Sequence, residues 1–339
     1  MHFNNQFIQK AQHFIPLKII STGVALPDGK LTSDELDQKL NKPHGYTLKR
    51  SGIEYRYHAD YQLNQADLAA QALNDALARH HIAADSIDLL ICASALKVQA
   101  LPYCAAHILQ ASNLPDKTAT LDVNVSCVSF ISALNLAGCL INSGSYQRIA
   151  IVSAELASRG LNWEDEESSM IFGDGAACAI VEKGDGQSGI LSFLQETHTA
   201  GIDLCQIKGG GTRCNLRTGM KDSDFLFHMQ GKPLFKLASS LIEPFMTKLM
   251  QLSGLQLEDI VTVIPHQASH LSLEHMRKRL KVSQQALIDI YRFRGNQVAA
   301  SIPSALHEAV ITDRFQANHP AMLIGTAAGL TFAGMILLP

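Results

Sequence analysis

Twice along this chain of 339 residues a long helical pattern runs into an acidic residue and then a short apolar segment. "NQADLAAQALNDALARHHI" (64–82) leads into "SIDLLICAS" (86–94), and "KPLFKLASSLIEPFMTKLMQLSG" (232–254) leads into "LEDIVTVIPHQ" (257–267). In the first helix Leu68, Ala72, Leu73, Ala76 and Leu77 fall at helical spacing, so one face is apolar. Helix–strand alternation repeated in two similar halves argues for an α/β duplication around central mixed sheets. The polar, glycine-bearing stretch "EKGDGQSG" (182–189) marks the join, which divides residues 17–185 from 186–339.

The rest of the chain fits that frame. "LKIISTGVA" (17–25), "TATLDVNV" (118–125) and "QRIAIVSAE" (147–155) read as strands. "MIFGDGAACAIVEK" (170–183) reads as strand–turn–strand. "LTSDELDQKLN" (31–41), with a Thr or Ser cap and early acids, reads as a helix. So do "AAHILQAS" (105–112), "SHLSLEHMRKRL" (269–280) and "ASIPSALHEAVI" (300–311). Residues 321–339 carry no charge and are long enough to suggest a membrane span. Gly325, Gly329 and Gly334, with Thr326 and Thr331, divide the run, so the expectation is two buried strands around a turn and no span.

With 47% hydrophobic residues the chain can bury a large core, in one big domain or two ordinary ones. A net charge of -3 does not suit a bulk nucleic-acid binder, so no nucleic acid is expected. Seven cysteines, an odd number without a C-x-x-C pair, argue against a disulfide framework or a zinc ribbon. The N-terminal "MHFNNQFIQKAQHF" lacks a continuous apolar core, so no leader is expected and the location is read as cytoplasmic. No metal-ligand spacing stands out.

Three residues invite a chemical reading. Cys127 in "VSCVSF" stands where a strand gives way to a helix. Unpaired N–H groups and the positive end of the dipole would favour its thiolate and lower its pKa. The alternative is a small buried hydrophobe, the reading kept for Cys92, Cys139 and Cys178. His266 in "IPHQAS" ends a strand at the carboxyl edge, where ligand groups gather in α/β sheets. It is one of fourteen histidines, and a surface role is the alternative. Asn296 in "RGNQVAAS" lies in a loop before a helix, where a turn role is equally natural. "KGGGTR" (208–213) reads as a flexible loop, and "NWEDEE" (162–167) as a solvated face.

Taken together, the blocks "IISTGVALPDG", "LKRSGIEYRY", "DVNVSCVSF", "MIFGDGAACAIVE", "MQGKPLFKLA", "IPHQAS", "GNQVAASIP" and "GTAAGLTFAG" resemble the β-ketoacyl-acyl-carrier-protein synthase III family of thiolase-like condensing enzymes. The likeness runs from about residue 17 to the C-terminus, in order and spacing. It implies a thiolase-like α/β fold of five layers, α-β-α-β-α, in a homodimer. It implies an acyltransferase that loads an acyl group on Cys127 and condenses it, with loss of CO2, with a malonyl thioester. His266 and Asn296 would hold the thioester carbonyl, and the backbone N–H groups of Cys127 and Ala328 would form the first oxyanion hole. Coenzyme A contacts would fall on Tyr46, Arg50, Ser51 and Arg159, with Gly231 in the tunnel and Ser269 beside the histidine. Leu101 would reach the partner's acyl pocket. Substrates would be acyl-coenzyme A and malonyl-coenzyme A or a malonyl carrier protein, with no other cofactor. Lys236 and the basic residues 277–281 would be the docking face for an acyl-carrier protein.

The absence of an acid in "SALKVQALPYCA" (94–105) favours decarboxylation over proton abstraction, which needs a carboxylate base. Four departures stand out: Ser269 for the family's Asn, Leu271 for a docking Arg, Ala328 for an oxyanion-hole Gly, and the acids of 162–167 close to Arg159. They point to a specialised member rather than the housekeeping starter enzyme. Other readings are acyl transfer to an oxygen, nitrogen or other carbon nucleophile, a cysteine hydrolase, and a non-catalytic partner subunit.

Overall fold

The structure, a computed structural model, describes residues 3–339. Met1 and His2, the start of the stretch read above for a leader, lie outside the described residues. Two five-stranded sheets organise the chain. The first has the spatial order Lys18–Ala25, Gly175–Glu182, Arg148–Glu155, Leu89–Cys92, Ala119–Asp122. The second has the order Ile15–Pro16, Gly189–Thr197, Thr331–Leu338, Ala321–Ala327, Thr262–Pro265.

The duplication is visible in the pairing. In the first sheet, Lys18–Ala25 runs antiparallel to Gly175–Glu182, which runs antiparallel to Arg148–Glu155, which lies parallel to Leu89–Cys92. In the second, Gly189–Thr197, Thr331–Leu338, Ala321–Ala327 and Thr262–Pro265 follow in the same senses. The first sheet ends on Ala119–Asp122, parallel to Leu89–Cys92. Its counterpart shrinks to a parallel bridge between Val263 and Leu287.

Three apolar layers fix how the sheets stack. Helices Ser129–Asn142 and Ser301–Ile311 lie between them: Ile131, Leu134, Ile302 and Leu306 pack in one cluster with Ile151 and Val181 of the first sheet and Ile264, Leu323 and Met335 of the second. Gln65–Arg79 and Cys104–Ala111 cover the outer face of the first sheet, and Gly231–Ser253 that of the second through Phe245 and Leu249. The five layers are α-β-α-β-α. Strands covered on both faces read as continuous apolar runs, which is why "IAIVSA" does not alternate.

Local chemistry sets the element ends. Asn64 caps Gln65–Arg79 by accepting the Ala66 N–H at 3.0 Å. Thr32 and Glu35 form a capping box at the start of Ser33–Lys39. Gly254, at φ 67°, closes Gly231–Ser253. The uncharged C-terminal run forms two buried antiparallel strands, with Ala321 facing Leu337 and Ala327 facing Thr331. Among the described residues no helix is long and apolar enough to cross a membrane.

Three expectations change. Residues 170–172 form no strand; a single strand starts at Gly175, and Phe172 makes only a bridge to Asn296. The backbone there is engaged with the Asn296 loop instead. The acids of 162–167 are not a free solvated face, because Asp165 caps the turn Glu166–Ser169 and Glu166 pairs with Lys42. Cys139 is exposed in the single chain, on the solvent side of its helix, unlike buried Cys92 and Cys178.

Gly23 is where strand and covering helix touch backbone to backbone: a Cβ there would strike Ala72 and Ala76 of Gln65–Arg79. Gly23→Ala is expected to lower stability by about 3 kcal/mol through overpacking against unyielding backbone. Urea midpoints of the two proteins check this, and equal midpoints would show that the helix yields there.

Candidate active site

The first sheet delivers Cys127. Beyond Ala119–Asp122 the chain turns sharply. Asn124 Oδ1 accepts the Ser126 N–H at 3.0 Å, and Ser129 Oγ donates to the Ser126 carbonyl at 2.6 Å. These bonds hold Ser126 at φ 51°, a left-handed conformation costly for a non-glycine residue. Cys127 follows, and the helix Ser129–Asn142 starts two residues later, with no side-chain cap. The cysteine is half-buried.

The expectation of a lowered Cys127 pKa is corrected. Burial pushes its thiol up to about 11, and the facing Glu155 carboxyl pushes the same way. The Ser126 hydroxyl and the N–H groups of Ala328 and of Cys127 itself pull it down. Cys127 sits ahead of the helix rather than in its first turn, so desolvation outweighs the dipole. The same N–H groups bear on the sulfur, where an oxyanion on an attached acyl carbon would form. Ala328 is not among the residues with positive φ. Gly329 (φ 80°) and Leu330 (φ 52°) make the turn after it, so an alanine costs this loop nothing.

The second sheet delivers His266. Its N–H continues the parallel ladder to the Ile324 carbonyl at 2.8 Å, just past Thr262–Pro265. The imidazole is buried, and burial pushes its pKa down to about 4, so it is neutral near pH 7. Nδ1 is buried with no hydrogen-bond partner among the described residues. Gly325 joins the halves here. A Cβ on it would come within 2.9 Å of His266 Cβ and 3.0 Å of Val128 Cγ1, the residue after Cys127.

Asn296 is clasped by the "FGDG" stretch. Its N–H donates to Ile171 O at 2.7 Å, and its carbonyl accepts the Gly173 N–H at 3.1 Å. Gly173 and Gly175 leave room for Arg294 O and the Gln297 side chain, which a Cβ would strike. Asn296 Nδ2 donates to Ala268 O at 3.3 Å, and Ala268 N donates to His266 O at 3.0 Å. Asn296 Oδ1 accepts the N–H of Val298, which is held at φ 51°. Three strained residues thus flank Cys127, Asn296 and Ala328. Such outliers cluster at functional sites.

The peripheral candidates divide. Tyr46 Oη donates to Glu166 Oε2 at 2.8 Å, and Lys42 pairs with the same carboxylate, lowering the pKa of Glu166 and raising that of Lys42. Arg50 is exposed and close enough to Glu166 to stabilise its charge. Gly231 opens its helix beneath the Glu167 carboxylate, which a Cβ would strike. Ser51 turns inward, donating to Thr47 O at 2.8 Å, and Arg159 reaches the carbonyls of Asp60 and Leu63 at 3.2 and 2.5 Å. Ser269 is the N-cap of His270–Leu280, accepting the Ser272 N–H at 3.2 Å. Leu101 is 83% exposed. Asp34, Asp37 and His44 gather closely, but Asp37 is engaged by the N–H groups of Tyr46 and Thr47.

Sequence reasoning missed Glu155 and Asn124. The signal for Glu155 was an acidic residue closing the mostly apolar run "IAIVSA". For Asn124 it was an Asx residue two places before a left-handed turn.

Residues 121–199 match the family model described as 3-oxoacyl-[acyl-carrier-protein] synthase III, and residues 250–338 match its C-terminal model. The β-ketoacyl-[acyl-carrier-protein] synthase III of Caldanaerobacter subterraneus subsp. tengcongensis is 30% identical over 94% of this chain and 96% of its own length. That of Clostridium perfringens strain 13 is 29% identical over 94% and 98%. The solved structure of the Thermus thermophilus enzyme of that name superposes with a TM-score of 0.86 at 28% identity, covering 95% of this chain and 98% of that one.

The depressed pKa of His266 has a stability consequence. The unfolded histidine takes up a proton near its ordinary 6.5, whereas the folded one resists until about 4. The unfolded state therefore binds more protons between these values, and stability falls as pH falls through that window. The loss is about 3 kcal/mol at its lower end. His266→Gln is expected to remove this share, so urea midpoints at pH 7 and pH 4.5 converge more in the variant. Equal acid sensitivity in both proteins would contradict a desolvated His266.

Proposed function

The chain belongs to the β-ketoacyl-[acyl-carrier-protein] synthase III family, and on that premise we propose how Cys127, His266 and Asn296 divide a two-step condensation. The chain is an acyltransferase of the condensing class, in fatty-acid or related lipid biosynthesis. In the first step the Cys127 sulfur attacks the carbonyl carbon of an acyl thioester. A new S–C bond forms, the old one breaks, and the carrier leaves as its thiol with the proton that Cys127 gives up. The observation that carries this reading is that two backbone N–H groups, of Cys127 and Ala328, bear on the one thiol, while Gly325 brings the buried, neutral His266 up against Val128, the residue after it.

In the second step a malonyl thioester takes the emptied carrier site. Its carboxylate leaves as CO2, and the electron pair becomes an enolate whose oxygen accepts hydrogen bonds from the neutral His266 imidazole and Asn296 Nδ2. The enolate carbon attacks the acyl-cysteine, a C–C bond forms, and the 3-oxoacyl thioester leaves Cys127 as thiolate, which regains a proton from water. The segment 94–105 supplies no base, and the buried acid of the site, Glu155, has its oxygens occupied by backbone N–H groups.

The carrier side of the proposal rests on charge. In the basic segment, Arg277 pairs with Glu274 and Arg279 with Glu243, both at 3.0 Å. Lys236, Lys278 and Lys281 make no carboxylate pair among the described residues and are the cations left for an acidic carrier protein. We assign Tyr46 and Arg50 to the coenzyme A end. Glu166 then competes with substrate phosphate for Lys42 and Tyr46. A homodimer is proposed with it, supported by the edge strand Ala119–Asp122, whose Leu121 is exposed, and by exposed Leu101 and Tyr103.

Intact-mass measurement with a panel of acyl-coenzyme A esters tests the reading. One acyl increment is expected on the wild type and none on Cys127→Ala, and malonyl-coenzyme A discharges it with release of CO2. Asn296→Ala is expected to slow that release by about 100- to 1000-fold, the usual cost of one oxyanion donor. An adduct that malonyl leaves in place would instead assign the chain to acyl transfer onto another nucleophile.

Steady-state kinetics tests the mouth. Glu166→Gln is expected to lower KM for the coenzyme A ester several-fold with kcat little changed. A raised KM would place the carboxylate among the substrate contacts.

A further inference from the structure

Glu155 is an acidic residue with no part in the chemistry above, yet it is 0% exposed and close enough to Cys127 for its charge to act on the thiol. It ends the strand Arg148–Glu155, and no ion pair partners it among the described residues. Its carboxyl group is fully engaged by backbone. Oε1 accepts the Ala95 N–H at 2.6 Å, Oε2 accepts the Leu96 N–H at 3.0 Å, and the Ala299 N–H adds a third bond.

Each side of this hub leads to a strained turn. On one side, the Ala95 carbonyl accepts from Asn124 Nδ2 at 3.0 Å, and Asn124 Oδ1 accepts the N–H of Ser126 at 3.0 Å. Ser126, at φ 51°, is the residue before Cys127. On the other side, Ala299 follows Val298, a β-branched residue at φ 51°, whose N–H is held by Asn296 Oδ1 at 2.9 Å. The same Asn296 amide carries the donor used on the enolate. Neither turn is a backbone minimum, so each keeps its shape only while its outer bonds hold.

We infer that Glu155 is a positioning residue that holds the Cys127 turn and the Asn296 turn in register with each other. The inference rests on the roles given to Cys127 and Asn296 above. A carboxyl group suits the hub because both of its oxygens accept N–H bonds; burial raises its pKa to about 8 against the pull of those N–H groups, and the oxygens accept in either protonation state. A glutamine of the same length would point an amide N–H at one of those donors.

Two variants test it. Asn124→Ala cuts only the arm to Cys127 and is expected to slow acylation by the esters that load the wild type about 10- to 100-fold, the scale of a small misplacement. Its decarboxylation of malonyl-coenzyme A should stay within about twofold, since the Asn296 arm is intact. Glu155→Gln is expected to slow both half-reactions over that range. It should also move the pH midpoint of iodoacetamide alkylation at Cys127 downward, because a negative charge facing the thiol is gone. A merely structural role would lower thermal stability while leaving both half-reactions of the folded variant within about twofold of the wild type. Half-reactions unaffected in Glu155→Gln, or slowed equally by Asn124→Ala, would overturn the inference. If Glu155→Gln does not fold, Asn124→Ala decides alone. If the wild type neither loads nor decarboxylates, the catalytic reading has failed, and the alkylation midpoint of Asn124→Ala, which keeps the Glu155 charge, still decides whether the arm governs the Cys127 turn: a shift supports the inference and an unchanged midpoint overturns it.

Discussion

The site exists because two sheets meet over one missing Cβ. His266 ends a strand of the second sheet, and Val128 follows Cys127 at the end of the first. Gly325 lies between them with space for no side chain. Any larger residue would push the strand edge and the helix start apart, and with them the imidazole and the thiol. Gly173 and Gly175 do the same for the Asn296 loop. The trio proposed here, Cys127, His266 and Asn296, therefore depends on backbone-to-backbone approach in three places, each at the edge of a sheet where the open side of an α/β sheet leaves room for ligands.

That approach has a conformational cost, concentrated in Ser126, Val298 and Leu330. Each is a non-glycine residue in the left-handed region, at about 1–3 kcal/mol apiece. Each is held by a bond: Asn124 and Asn296, two residues earlier, hold Ser126 and Val298 and are themselves tied to the carbonyls of Ala95 and Ala268, and the His198 N–H holds the Leu330 carbonyl at 3.0 Å. Strain of this size persists only in a surrounding that over-determines it, and here the surrounding is the packed seam between the sheets.

How much of this was legible in the sequence follows from range. The duplication was legible, because apolar periodicity and strand order are written locally and repeated. The Cys127 turn was legible as a strand–helix joint, and the uncharged C-terminal run as paired strands, because glycine and threonine placement is local too. The Met170–Phe172 segment was misread, since its apolar residues pack against a loop more than a hundred residues away. The Cys127 pKa was misjudged because the dipole argument is local whereas desolvation comes from the other sheet. Glu155 escaped for the same reason: nothing beside it in the sequence says that Ala95 and Ala299 will present their N–H groups to it. Ser51, Arg159 and Ser269 were carried by resemblance alone, and their side chains are turned to backbone partners at 2.8, 2.5 and 3.2 Å.

Desolvation acts on the two central groups in opposite directions, and the result is one neutral pair. It raises the Cys127 thiol to about 11 and lowers the His266 imidazole to about 4. At neutral pH the resting site is thus thiol beside imidazole, not thiolate beside imidazolium. A resting ion pair would have to be stabilised by the protein throughout the cycle. In the proposed reaction a neutral pair leaves the N–H groups of Cys127 and Ala328, the His266 N–H and the second N–H of Asn296 Nδ2 for the charge that arrives with the substrate and develops in the reaction. Donors fixed before charge appears need no reorganisation when it does, and in a dry seam each is worth more than in water. Glu155, the acid buried near them, is raised by burial to about 8, so it is mostly neutral at the same pH, and its oxygens are held by N–H groups of their own.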